Sequence, residues 1–267
     1  MRTRHLAPNF GDLLKTWRER RRMSQLKLAV EAEISQRHLS FVESGRSRPS
    51  RDMVLRLCDH LDVPLREQNA LLLAAGFAPA YAERSLDDPD LAEARAAINL
   101  ILEGHMPYPA LAVDRHWTMV AANDAVGALL GGVAAHLLEP PVNVLRLSLH
   151  PEGLAPRIVN LPVWTAHILE RLRRQHDLSG DAGIADLIAE IEAYRDGSSA
   201  ADTVPPVQVA DNSVLVPMVL QTDRGVLSFF STTTVFGTAV EVTLSELILE
   251  AFYPADEETR SRLQPRV

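Results

Sequence analysis

Within fifteen residues the sequence places Arg37, Arg46, Arg48 and Arg51 around the segment "QRHLSFVES". A guanidinium is a planar fork that matches phosphate oxygens and the major-groove edge of guanine. Beside these arginines stand Gln36, which can pair bidentately with adenine, and the polar residues His38 and Ser40. Phe41 has the chemistry to touch a thymine methyl. Gln25 and Ser35 fall at the amino ends of two short helical patterns, where side chains and backbone N–H groups can grip phosphate. Arg37 is the candidate for a base, and Arg46, Arg48 and Arg51 for the flanking backbone. The charge balance agrees: residues 1–80 hold 14 Lys and Arg against 9 Asp and Glu, net +5, and the other 187 residues hold 13 against 26, net -13. A basic head on an acidic body points to an anionic partner for the head, double-stranded DNA above all.

The elements that must position these residues are short helices. Phe10, Leu13, Leu14 and Trp17 recur at helical spacing, and a basic last turn follows them. Ser24 caps "QLKLAVEA", whose Leu26, Ala29 and Val30 are expected to fall on one face. Ser35 caps the next helix, with Leu39 and Val42 inward and Gly45 left-handed just past its end. Ser50 caps a fourth, with Met53, Val54, Leu57 and Leu61 as its apolar face. Pro64 opens a fifth, which Gly76 ends. Two short helices joined by a tight turn, the second opening with polar side chains, form a helix-turn-helix whose second helix fits the major groove.

The segment "SQLKLAVEAEISQRHLSFVESGRSRPS" resembles the DNA-binding domain of the xenobiotic-response-element (XRE) regulators, related to the phage Cro and C1 repressors. The resemblance covers residues 10–76 and implies an all-α domain over residues 1–78. It also implies that Arg18 of the first helix pairs with Glu43 at the end of the recognition helix. Glu33 stands where that turn often has Gly, so a non-glycine residue must hold the turn at some cost in strain.

Near "FAPAYAERSLDDPD" Pro and acidic residues interrupt the helical pattern, and residues 79–106 read as a linker with a connecting helix. From 107 to 267 the texture changes. "PALAVDRHWTMVAAND" alternates like two strands around an Asp-Arg turn, and "DAVGALL" looks helical. Residues 143–194 are helix-rich. After "RDGSSAADTVPP" come "SVLVPMVLQT", "GVLSFFSTTTVF" and "AVEVTLSELILEAF", strand-like, with Asp223-Arg224-Gly225 as a hairpin turn. "STTTVF" reads as a strand with its hydroxyls on one face. The expected fold class is α+β: a helical head and a largely antiparallel sheet with packed helices.

"PALAVDRHWTMVAANDAV", "NVLRLSLHPEG" and "VTLSELILEAFYPADEETRSRL" resemble the ligand-binding domain of MmyB-like transcription regulators, a PAS-like fold. That resemblance implies a sensory domain with an apolar cavity, and fatty-acyl ligands are known for the family. Arg146, His150 and Trp164 are then candidates for the polar grip and aromatic wall around a carboxylated lipid. Each has a plainer reading: Arg146 holds a nearby carboxylate, His150 fixes the turn before Pro151, Trp164 is core.

Other chemistries find less support. The sequence has no Gly-x-Ser-x-Gly elbow and no nucleotide-binding glycine loop, so no catalytic residue is assigned. Nine histidines include no His-Glu-x-x-His or other compact ligand spacing, so neither a metal nor a cofactor is expected. Cys58, the one cysteine, excludes an internal disulfide and reads as a small buried helix residue. No run approaches about eighteen apolar residues, and the charged amino end does not suit a signal peptide, which points to the cytoplasm and no membrane partner. The function expected is a homodimeric, operator-binding regulator that senses a small apolar ligand. The alternatives are a ligand-independent regulator whose acidic domain dimerises or recruits a partner, and a lipid-modifying domain on a DNA anchor.

Overall fold

The computed structural model describes residues 9–197, 215–237 and 239–264. Most of the loop read at 195–206 and the first two residues of "SVLVPMVLQT" lie outside them. The chain divides into two compact units, one gathering residues up to Arg84 together with 177–179 and 239–245, the other most of the remaining residues from Ser85 on.

In the first unit α1 (Phe10–Arg20), α2 (Gln25–Glu31), α3 (Gln36–Glu43), α4 (Arg51–His60) and α5 (Leu65–Ala74) reproduce the five expected helices. Four are capped alike. Asn9, Ser24, Ser35 and Ser50 each accept a hydrogen bond from the N–H three residues on, at 3.0–3.3 Å. Each such cap stabilises its helix by about 1 kcal/mol. Leu14, Leu28, Leu39, Val54, Leu57, Leu61 and Leu72 fill a single core. Gly45 closes α3 at φ 71°, and Glu33 holds the α2–α3 turn at φ 55°, the left-handed position that the sequence flagged.

One expectation fails in α2. Leu28 and Ala29 are buried there, whereas Leu26 and Val30 are exposed. Leu26 with Val30 makes one i, i+4 stripe and Leu28 with the buried C-cap residue Ala32 another, and packing against α3 and α4 chooses between them.

The second unit is built on a five-stranded antiparallel sheet in the order β2-β1-β5-β4-β3. Its strands are β1 (Ala110–Val113), β2 (Met119–Ala122), β3 (Met218–Thr222), β4 (Gly225–Val235) and β5 (Ile248–Pro254). Chain order gives the helices α6 (Ala92–Gly104), α7 (Asp124–Gly127), α8 (Val144–Leu149), α9 (Leu161–Ser179), α10 (Ala182–Gly197), α11 (Val242–Ser245) and α12 (Glu257–Leu263). The α+β class is as expected. The stretch "AVEVTLSELILEAF" is not one strand, because the single turn α11 precedes β5.

Strand alternation gives the sheet two covered faces. Leu111, Val113, Leu227, Phe229, Ile248 and Phe252 pack with side chains of α8, α9 and α10. Ala110, Ala112, Leu249 and Ala251 pack with Ile98 and Leu102 of α6. The same alternation corrects the reading of "STTTVF". Ser231 and Thr233 fall on the face of Phe229, and Thr232 and Thr234 on the other.

Buried asparagines fasten the loops. Asn123 accepts from Ala110 N–H and donates to the carbonyls of Leu102 and Tyr108. Asn143 accepts from Leu145 and Arg146 N–H and donates to His116. Asn160 ties Pro217 to Val219. The β1–β2 turn is organised by Asp114, which accepts from His116 and Thr118 N–H at 2.8 Å each and leaves Trp117 at φ 67°.

The helical unit depends on one close approach. A Cβ on Gly11 would lie 2.2 Å from the carbonyl oxygen of Glu43, so α1 meets the end of α3 only because residue 11 has no side chain. Gly11→Ala is expected to destabilise the helical unit by about 1–3 kcal/mol despite alanine's better helix propensity, as measured by urea denaturation.

Candidate functional site

The outward side of α3 follows from which side faces the core. With Leu39, Val42 and Glu43 buried, Gln36 and Arg37 are exposed and His38, Ser40 and Phe41 half-buried. The Phe41 ring lies between two guanidiniums, with Arg37 at 5.4 Å and Arg46 at 4.7 Å from its centroid. Arg46 also donates to Ser44 Oγ at 2.9 Å. Arg48 and Arg51 are exposed in the segment that follows. The helix thus offers a polar, cationic surface around one aromatic ring, which suits phosphates and base edges. Ser35 caps its own helix, its hydroxyl accepting the His38 N–H and keeping its proton to donate.

Under this surface lies the expected ion pair. Arg18 Nε and Nη2 reach the two carboxylate oxygens of Glu43 at 2.6 and 3.0 Å, and Arg18 Nη1 donates to Met23 O at 2.8 Å. Their side chains are 9% and 4% exposed. Hydrogen bonding to Glu43, acting against burial, holds the Arg18 guanidinium above its ordinary pKa. Gln25 joins them, donating to Glu43 Oε2 at 2.8 Å, so in this structure its amide braces the pair.

The second unit contains an apolar cavity of about 90 Å³. Leu111 of β1, Leu145 of α8, Ile168 of α9 and Phe252 of β5 line it, with Trp117 and Trp164 as its aromatic walls. Leu129, Leu130 and Val144 of its wall are partly exposed. Arg171 and Glu250 supply its only charged groups. The volume is below the roughly 300–1,000 Å³ of drug-sized pockets, so it has room for a short apolar group, and longer ligands must displace side chains.

A family model described as MmyB-like transcription regulator ligand binding domain matches residues 94–265, and one described as Helix-turn-helix domain matches residues 9–71. The chain belongs to the MmyB-like transcription regulators. No curated protein matches it. As an MmyB-like regulator it is a DNA-binding transcription regulator with a ligand-binding domain. Both matched families are regulatory modules. The ligand-binding match begins inside the segment read as linker, 79–106, and takes in most of α6. No helix among the described residues is long and apolar enough to cross a membrane.

Of the three residues read as a ligand grip in this MmyB-like domain, the structure brings only Trp164 to the cavity wall, where its Nε1 donates to Ser148 Oγ at 3.3 Å. Arg146 is 46% exposed and pairs with Glu190 at 2.8 Å. That hydrogen bond, with a second from Tyr194, holds the Glu190 carboxyl below its ordinary pKa against the effect of burial. His150 packs edge-on between His136 and Tyr194 and accepts the Glu152 N–H at 3.1 Å. His136, His150 and Glu152 offer ligand atoms within 4.8 Å of one another, a grouping that sequence spacing did not reveal. Burial pushes the Cys58 thiol up to about 12, so it stays protonated at neutral pH. The residues missed by sequence reading are Arg171, Glu250 and Trp117.

The buried pair under α3 gives a clear test. Arg18→Met leaves the Glu43 carboxylate buried without its cation and is expected to cost about 3–5 kcal/mol, read as lost hydrogen-exchange protection across α1–α5. Adding Glu43→Leu should restore most of that protection.

Proposed function

We propose that the chain is a sequence-specific, ligand-responsive regulator that binds its operator as a homodimer in the cytoplasm. Residues 1–78 read DNA, residues 107–267 form a PAS-like sensory domain, and residues 79–106 connect them. The ligand is a small apolar molecule, a fatty acid being the compound that the family resemblance implies. The observation that carries this reading is the apolar, tryptophan-walled cavity in a chain whose other unit presents a cationic recognition helix. Two copies of α3 on two half-sites multiply the affinity of one and suit a near-palindromic operator. Ligand binding then shifts the balance between two arrangements of the dimer, for which only a difference in affinity between them is needed.

On α3, Gln36 and Arg37 read bases, with His38, Ser40 and Phe41 beside them. Arg46, Arg48 and Arg51 hold the phosphate backbone, and Gln25 and Ser35 meet phosphate at the amino ends of their helices. Arg37→Ala is expected to lose about 1–3 kcal/mol of discrimination between operator and random DNA. Arg48→Ala should instead weaken all sequences alike and lower the slope of log affinity against log salt by about 1. Both are measured by fluorescence anisotropy across a salt series, and equal losses on both DNAs for Arg37→Ala would make it a phosphate contact.

For the sensor, titration with medium-chain acyl compounds is expected to change the fluorescence of Trp117 and Trp164 and, at saturation, to shift operator affinity. A saturated cavity with unchanged operator affinity would defeat the coupling.

A further inference from the structure

We infer that the cavity selects an apolar molecule with an uncharged, hydrogen-bonding head, such as an acyl amide, ester or alcohol, over a free carboxylate. This rests on the cavity reading above, keeps its small apolar ligand class, and within that class sets the free fatty acid behind its uncharged derivatives. The polar part of the wall consists of Arg171, Glu250, Ser148 and Ser231. Glu250 is 4% exposed. Both of its carboxylate oxygens are held by Arg171, Oε2 at 3.2 Å from Nη1 and Oε1 by Nη2, and Thr233 Oγ1 donates to Oε1 at 2.9 Å. Arg171 Nη2 also donates to Thr233 Oγ1 at 2.7 Å, and its guanidinium lies 4.5 Å over the ring of Trp117.

The two charges cancel, and each is already answered by the protein. Among the described residues the one buried side-chain polar atom without a partner is Arg157 Nε, which does not line this cavity. No unpaired cation therefore waits for an anionic head. A ligand carboxylate would have to draw Arg171 away and strand Glu250 in a buried site, or lie against Glu250 as a like charge. Either arrangement disfavours the carboxylate. An uncharged head avoids both. Ser148 Oγ accepts from Trp164 yet keeps a proton to donate, and the Ser231 hydroxyl can donate or accept, so an amide or alcohol can bond here with the ion pair intact.

The test uses the full-length protein and eight-carbon probes, whose tails enter by displacing the partly exposed wall residues: octanamide, 1-octanol and octanoate, compared by isothermal titration calorimetry at pH 8, where octanoate is ionised. Octanamide and octanol are expected to bind at least about tenfold more tightly than octanoate. Glu250→Gln should raise octanoate affinity by about tenfold and leave octanamide within about threefold, because it removes the repelling charge and frees Arg171. Octanoate binding wild type as tightly as the amide would overturn the inference and leave the cavity reading standing. So would an octanoate affinity that falls in Glu250→Gln. Should that variant not fold, the comparison on wild type decides alone. Failure of all three probes to bind would overturn the cavity reading, and this inference with it.

Discussion

The outward face of α3 depends on a guanidinium and a carboxylate that almost no water reaches. Arg18 and Glu43 tie the first helix to the end of the third, and Gln25 brings the second helix to the same carboxylate. Helices of seven to eleven residues have little stability of their own, because nucleation is costly and few backbone bonds follow it. Their caps and shared core hold them as helices; the ion pair sets where α3 stands against α1. The approach that Gly11 permits brings the Glu43 backbone against α1, and the carboxylate then meets its cation where little solvent competes for either. Buried pairs of this kind add little net stability over apolar residues, so the case for this one lies in orientation: two forked hydrogen bonds define a direction that Leu against Leu would not.

The second unit uses the same chemistry to a different end. Arg171 and Glu250 join α9 to β5 inside the sheet's helix-covered face, with Thr233 on the neighbouring strand directly across from Glu250. Here the pair borders empty space. It makes one part of the cavity polar without making it charged, while Trp117 covers the guanidinium from the side. Where Arg18 and Glu43 lock a surface, Arg171 and Glu250 set what an interior will accept.

What the sequence revealed and what it hid divide along chain distance. The caps at Ser24, Ser35 and Ser50, the left-handed Gly45 and the Asp223–Gly225 turn are local signals, complete within four residues, and the structure repeats them. The Arg18–Glu43 pair is 25 residues apart and came from the resemblance, since no spacing rule announces it. Arg171 and Glu250 are 79 apart, in a helix and a strand whose facing is decided only when the sheet forms. Arg146 is an arginine in a matching segment, yet α8 turns it outward to Glu190 and points Leu145 and Leu149 inward. Helical phase in a six-residue helix is set by its neighbours, and although any strand alternates its threonines, which of them falls beside Glu250 was invisible until β4 had a register.

Trp117 shows how a cavity wall can be held rigid at a cost. A bulky residue at φ 67° is strained by about 1–3 kcal/mol, and such a conformation persists only where surrounding contacts over-determine it. Those contacts are present on every side. Asp114 fixes the backbone before and after the ring, Gln175 accepts its indole N–H at 3.0 Å, and Arg171 covers its face. A more relaxed backbone would move the ring off Arg171 and uncover the guanidinium that balances Glu250. The strain at residue 117 is therefore bound up with the cover over the cavity's ion pair, and the two belong to a single arrangement of turn, helix and strand.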